Sequence, residues 1–266
     1  MKKYFILFLL VPVYLFSQEN KGIVYYGFVD AMATGNGNGL DYNAYMTFNK
    51  EQSYYVTAKD SLEKTENLNV QKNTEKNDEN IIYNGLKSSP LGDQVVFYKK
   101  SNLIYSSFEY GEVYYVKENA TKHNWKIHKE TKKIGKYTCT KATMFFRGRD
   151  YTVWFTFAIP VSYGPWKLNG LPGLILEAYD TDKNLYWYFK SIEYPTNNKQ
   201  KVNNLRVPLK EKYTHFITIE EFGKKLVKYI DKVYEDSVLT AKKHNTYIPK
   251  RSEMPTILEL FMEEIK

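Results

Sequence analysis

The sequence predicts a mainly β fold of the α+β kind, in which a curved antiparallel sheet or half-barrel packs against C-terminal helices. Aromatic residues form 17% of the chain, and 25 residues are tyrosines, which favour the half-buried surface of a sheet. Short runs of alternating apolar and polar residues are separated by turn residues at close intervals. A link as short as Ser101-Asn102 joins neighbouring strands only as a hairpin, so antiparallel pairing is expected.

The predicted strands are short and spread over most of the chain. They lie at residues 23–29, 42–49, 53–57, 81–83, 94–99, 103–108, 112–117, 137–146, 151–159, 174–179 and 185–194. The run 151–159 alternates strictly, which places its odd-numbered residues on one face of the strand. That face is predicted to be the core face, and it carries Tyr151, Val153, Phe155, Phe157 and Ile159.

Residues 58–80 interrupt the strand pattern. They include 10 charged residues and few apolar ones, so the segment buries too little apolar surface to offset the entropy lost on ordering. We therefore expect a long mobile polar loop. Because strands are predicted on both sides of it, the loop lies within a single β-rich domain over residues 18–266.

Helical spacing of apolar residues appears only near the C-terminus. Thr218 and Glu221 form a capping box at the start of a predicted helix over residues 218–240. A second capping pair, at residues 256 and 259, predicts another helix over residues 256–265. Both helices are expected to pack onto the sheet.

The first residues read as a secretory signal peptide over residues 1–17. Two lysines precede an apolar run over residues 4–16, and Ser17 ends a plausible cleavage site. The run is shorter than the roughly 20 residues that a membrane span needs. We expect an exported chain with no transmembrane segment.

Composition disfavours several classes of protein. The formal net charge is +8, but the basic residues are scattered and form no nucleic-acid-binding motif. A single cysteine, Cys139, leaves no internal disulfide. His123 and His128 lie five residues apart, which suits neither one helix face nor one strand face, and a predicted strand rather than a helix follows the glycine-rich run 35–39. No nucleic acid, metal or cofactor is expected.

Cys139 and Lys141 share one face of a predicted strand. A nearby ammonium group would lower the pKa of the thiol and favour the nucleophilic thiolate. The alternative is a small buried apolar residue, the usual role of a free cysteine.

Arg147 and Arg149 flank Gly148 at a predicted hairpin tip. Two guanidinium groups at one tip could grip a carboxylate or a phosphate. The alternative is a pair of solvated arginines at a tight turn.

A hexapeptide without any acid, base, nucleophile or metal ligand follows Trp166. It reads Gly170-Leu171-Pro172-Gly173-Leu174-Ile175. Its glycines allow positive φ on either side of a rigid proline, so the chain can turn tightly there. One interpretation is a shaped turn that delivers a strand into the core, with Trp166 as a plug. The other is a binding loop with exposed backbone N–H groups and leucines beside an aromatic wall.

Four ordered segments resemble the GLPGLI family of exported bacterial proteins. They are ETKKIGKYTCTKAT (130–143), FRGRDYTVWF (146–155), IP (159–160) and GPWKLNGLPGLIL (164–176), and the resemblance covers residues 124–180. It implies an exported protein of a Gram-negative envelope, with the periplasm favoured and secretion left open, and it implies no defined reaction. The candidate ligand- or partner-binding residues are Cys139, Lys141, Arg147, Arg149, Trp154, Trp166, Gly170, Leu171, Pro172, Gly173 and Leu174.

Three functions follow as hypotheses. The first is a non-catalytic periplasmic binding or accessory protein for a peptide, a lipid or an envelope partner. The second is an assembly subunit of an outer-membrane transport system, whose transporter would be the partner. The third is a hydrolase or thiol-dependent enzyme that uses Cys139, Lys141, Arg147 or Arg149.

Overall fold

A computed structural model describes residues 21–30, 40–58, 92–196 and 215–248. Several predicted features lie outside these residues. They are the signal peptide 1–17, the glycine-rich run 35–39, all but the first residue of the loop 58–80, the strand 81–83 and the helix 256–265.

Eleven antiparallel strands form one sheet, so the prediction of a mainly β fold is confirmed. The strands are β1 (Gly22–Asp30), β2 (Leu40–Phe48), β3 (Gln52–Ala58), β4 (Asp93–Tyr98), β5 (Leu103–Tyr110), β6 (Glu112–Asn119), β7 (Lys126–Ile134), β8 (Tyr137–Phe146), β9 (Arg149–Thr156), β10 (Leu174–Asp180) and β11 (Leu185–Glu193). Their order is β6-β5-β4-β3-β2-β1-β11-β10-β9-β8-β7. Two up-and-down halves, β1–β6 and β7–β11, therefore meet where β1 pairs with β11.

The sheet is strongly curved but not closed. Its two edge strands, β6 and β7, would lie about 48 Å apart in a flat sheet, because neighbouring strands are spaced by about 4.8 Å. Only residues 120–125 connect Asn119 at the end of β6 to Lys126 at the start of β7. This link spans no more than about 25 Å, at about 3.5 Å per residue. The sheet must curl to bring its edges together, as the predicted half-barrel requires.

One face of the sheet carries most of the core, and we call it the inner face. Tyr151, Val153 and Phe155 of β9 are buried there, as predicted from their alternation. The prediction for Phe157 is wrong, because β9 ends at Thr156 and the Phe157 side chain is 56% exposed. Once a strand ends, the alternation of faces no longer applies.

The single described helix, α1 (Ile219–Lys243), packs on the edge of the sheet. The Glu221 backbone N–H donates to the Thr218 hydroxyl, and the Thr218 N–H donates to the Glu221 carboxylate, so the capping box is formed. The Phe222 ring stacks on Phe108 of β5 at 5.2 Å between centroids. Within the described residues, no helix combines the length and apolar character needed to cross a bilayer.

Candidate functional site

The hexapeptide packs against the inner face of the sheet. Leu171 and Leu174 are buried in the main core, whereas Gly170 and Pro172 are exposed. The Ile175 N–H donates to the Tyr163 carbonyl at 3.0 Å, which ties the start of β10 to the loop before it. The loop between β9 and β10 therefore folds back onto the sheet as part of the core.

Two glycines of the hexapeptide are needed for this path. Gly170 has φ +92°, in the region that only glycine adopts readily. A β-carbon at Gly173 would lie 2.2 Å from the carbonyl oxygen of Thr156. Glycine at this position therefore lets the returning chain approach the β9 backbone.

Trp166 forms the centre of this packing. Its ring stacks on Trp187 of β11, with centroids 6.1 Å apart and an interplanar angle of 8°. It also contacts Phe146 and Tyr151. Trp166 adopts φ 54°, which is uncommon for a residue with a side chain. The packing thus holds the tryptophan in place, as expected for a plug.

A buried ionic cluster lies beside Trp166, and we call it the Glu118 cluster. The Glu118 carboxylate of β6 accepts from Arg147 Nη2 at 2.6 Å and forms a second ion pair with Lys167 Nζ. The three side chains are only 4%, 8% and 0% exposed, in the order Glu118, Arg147, Lys167. Lys167 Nζ also lies 5.2 Å from the centre of the Phe108 ring. The cluster joins the edge strand β6 to the β8–β9 hairpin and to the loop that holds the hexapeptide.

The link 120–125 is attached to the same loop. His123 Nε2 hydrogen-bonds the Lys167 carbonyl at 3.1 Å, and Trp125 Nε1 donates to the Asn169 carbonyl at 2.7 Å. Because a carbonyl only accepts, the proton of the neutral imidazole lies on Nε2. Burial lowers the pKa of His123 below its ordinary value of 6.5, although the hydrogen bond to Lys167 opposes this. His123 therefore acts as a neutral donor at pH 7.

The two arginines of the hairpin bind different internal carboxylates. Arg147 binds Glu118, whereas Arg149 Nη1 donates to Asp180 Oδ2 at 2.9 Å. The other Asp180 oxygen accepts from the Leu185 N–H at 3.0 Å, so the pair also shapes the β10–β11 turn. Arg147 and Gly148 both have positive φ, at 49° and 73°, as a two-residue hairpin of this kind requires. The guanidinium groups thus contact protein carboxylates on separate elements.

Lys141 and Trp154 lie on the opposite, outer face of the sheet, whereas the buried Cys139 belongs to the main core cluster. Lys141 of β8 lies opposite Trp154 of β9, and the neighbouring pair, Ala142 and Val153, belongs to the core on the inner face. Because successive side chains of a strand point to opposite faces, Lys141 and Trp154 point outward. Lys132 of β7 lies above the Trp154 ring, 4.5 Å from its centroid, and donates to Glu177 at 2.7 Å. The predicted site residues therefore form two groups on two faces.

Cys139 is completely buried. Burial raises the pKa of its thiol to about 11, even though Lys132 acts in the opposite direction. Lys141, which the sequence places on the same face, forms an ion pair with the exposed Glu130 at 3.5 Å. This environment disfavours the thiolate that a reactive cysteine needs.

Sequence reasoning missed Glu118, His123, Lys167 and Asp180 as parts of these networks. For Lys167 there was a signal, since a lysine between Trp166 and Leu168 lies in an otherwise apolar stretch. Glu118 gave none, because a glutamate late in a strand is usually solvated. Among the described residues, no group of three or more His, Cys, Asp or Glu side chains is arranged to hold a metal ion.

Comparison with known proteins assigns part of the chain to a known family model. Residues 147–177 match a family described as a protein of unknown function (Porph_ging), and the match runs from the hairpin tip into β10. No curated protein matches the chain. The solved structures to which it is similar include two, described as the structure of PNGF-II in the P21 space group and in the C2 space group.

The likeness to these two structures is weak. The TM-scores are 0.49 and 0.47, and the sequence identities are 14% and 15%. Each alignment covers 79% of this chain but only 34% and 33% of the two structures, so this chain spans about a third of their length. Similarity at this level says nothing about the activity of this chain. The comparison thus gives a likeness to a family of unknown function, over the segment that contains the hexapeptide.

Proposed function

We propose that this chain is a non-catalytic binding or accessory protein of a Gram-negative envelope, exported to the periplasm, in which the GLPGLI-like motif builds the scaffold and the exposed apolar side chains of Phe145 and Phe157 meet a polypeptide partner. The observation that carries this proposal is the burial of Leu171, Leu174 and Trp166 in the core. A loop packed in this way stabilises the fold and is not free to grip a ligand.

The polar groups of the motif support the same role. Arg147 and Arg149 bind internal carboxylates on β6 and β10, and Cys139 is buried with a raised thiol pKa. Buried charges are stable only when paired, so these groups hold elements together. A reacting group would instead be positioned toward a substrate.

A polypeptide partner is favoured over a lipid. A half-barrel that carries a lipid needs an apolar space on its inner face. Here that face is covered by the protein's own Trp166, Leu168 and Leu171. Apolar side chains are instead exposed elsewhere, including Phe145 (60%) and Phe157 (56%). An assembly subunit of an outer-membrane transport system is one form of this accessory role.

Photo-crosslinking in intact cells tests the proposal. A photoreactive phenylalanine analogue replaces Phe145 or Phe157, and the exposed helix position Leu239 serves as the matched control. We expect one discrete envelope protein to be captured from Phe145 or Phe157 and not from Leu239. The Cys139→Ala background should give the same product. Copurified lipid with no crosslinked protein, or a substrate turnover that Cys139→Ala abolishes, would contradict the proposal.

A further inference from the structure

We propose that the outer edge of β7, which ends the sheet among the described residues, is the docking site for an extended acidic segment of a partner protein, which adds to the sheet as another strand. This inference deepens the proposed accessory function and depends on it. It comes from a difference between the two edges of the sheet.

The β6 edge is covered by the chain itself. The Lys117 N–H donates to the Ile217 carbonyl at 3.0 Å, and the Ile217 N–H donates to the Tyr115 carbonyl at 2.9 Å. These bonds make a short parallel bridge between Val116 and Ile217, just before α1 begins. Part of the backbone edge of β6 is therefore already paired.

The β7 edge is different. Within the described part of the chain, β7 pairs with β8 on one side and ends the sheet on the other. Six of its nine residues are exposed, and the apolar Ile127 is 49% exposed. Alternate backbone N–H and C=O groups of an edge strand point away from the sheet, which makes the edge a template for an incoming strand.

The register indicates where such a strand fits. A bulge lies between Ile127 and Thr131, and bulges interrupt regular pairing. From Thr131 to Ile134 the pairing with β8 is regular. An incoming strand therefore pairs best along residues 131–134, close to Lys133.

The positive charge of β7 favours an acidic partner. β7 contains four lysines and one glutamate. Lys132 and Glu130 are engaged with Glu177 and Lys141 on the outer face. The exposed Lys126, Lys129 and Lys133 leave the edge positive. A second copy of β7 would bring like charges within about 5 Å, well inside the Debye length of about 8 Å at physiological ionic strength. An acidic segment is therefore favoured over self-association.

Peptide binding to the purified full chain tests this inference. Three fluorescent peptides are compared by anisotropy: one that alternates glutamate with valine, one that alternates lysine with valine, and a glutamate peptide of equal charge whose valines are replaced by proline. We expect only the first to bind, because proline removes the ladder donors. Protection of the amides of residues 126–134 from hydrogen exchange should rise on binding.

Matched variants distinguish binding at the β7 edge from a general attraction to the positive charge of the chain. The triple change Lys126→Gln, Lys129→Gln, Lys133→Gln should weaken binding about tenfold, since each exposed pair contributes modestly. Three exposed lysines of α1, at residues 224, 228 and 232, changed to glutamine remove equal charge and should leave binding within about twofold.

Each contrary result has a definite meaning. Equal binding of the proline peptide overturns strand addition, and equal binding of the lysine peptide overturns the charge selection. A dimer that the β7 triple variant abolishes makes a second copy the occupant, and absence of any peptide binding removes the site. If the crosslinks from Phe145 or Phe157 persist in these cases, the accessory function stands without this edge.

Discussion

Glu118→Gln tests the buried cluster that joins the two halves of the sheet. Glutamine has nearly the same shape as glutamate, so the change removes a charge without opening a cavity. Arg147 and Lys167, whose side chains are 8% and 0% exposed, would then share no carboxylate at this position. Breaking a buried ion pair by removing one partner typically destabilises by about 3–5 kcal/mol.

The expected loss of stability in Glu118→Gln is large enough to measure by thermal and urea unfolding. For a chain of this size, about 1 kcal/mol lowers the Tm by about 2–4 °C, so we expect a fall of about 6–20 °C. Glu130→Gln is the matched control, because Glu130 is 57% exposed in its pair with Lys141. It should leave the urea midpoint close to that of the parent chain, because an exposed pair contributes little.

A compensating variant identifies the cause. Glu118→Leu combined with Arg147→Met and Lys167→Met replaces the whole cluster by apolar side chains, and it should recover most of the lost stability. If the urea midpoint of Glu118→Gln shifts no more than that of the exposed control, the cluster contributes no more than a surface pair. The claim that it holds the curled sheet together would then be wrong.

The remaining predictions concern the hexapeptide, the cysteine and the half-buried His123. Gly173→Ala should lower the free energy of unfolding by an amount near the upper end of about 1–3 kcal/mol, because the new β-carbon meets the Thr156 carbonyl. The control Pro172→Ala, at an exposed position, should change the free energy of unfolding by less than about 1 kcal/mol. Equal urea midpoints of the two variants would contradict this prediction. Cys139 should resist iodoacetamide at pH 7.5 until the chain is denatured, as mass spectrometry would show, and rapid labelling of the native chain would restore the reactive-thiol hypothesis. His123 has a lowered pKa when folded, so below its ordinary value of 6.5 the unfolded chain binds more protons and stability falls as pH decreases toward the folded pKa. The difference in urea midpoint between pH 7.5 and 5.5 should therefore be smaller in His123→Gln, and an unchanged difference would exclude this histidine as its source.

Local patterns predicted the class of fold and much of its detail. Alternation identified Val153 and Phe155 as core residues, and the capping box of Thr218 and Glu221 marks the start of α1. Both signals involve residues only one to four positions apart. A strand alternates faces at each residue, and a helix N-terminus needs acceptors from its first turn, so such features follow from nearby residues.

One strand escaped prediction for a physical reason. β7 reads Lys-Ile-His-Lys-Glu-Thr-Lys-Lys-Ile, which is mostly polar and shows no clear alternation. As an edge strand it exposes most of its residues to water, so few of them needed to be apolar. Its existence depends on backbone pairing with β8, which the side-chain pattern does not reveal.

The candidate residues were predicted as a set, but their arrangement depends on distant parts of the chain. Arg147 binds Glu118, 29 residues away, and Lys167 reaches the same carboxylate from a different loop. The choice between a binding loop and a plug also depended on whether Trp166 meets Trp187 across the curled sheet. The one-dimensional order of residues establishes periodicity, turns and caps, whereas the partners of buried charges and rings depend on how the sheet curls, since only the curl brings those groups within contact distance.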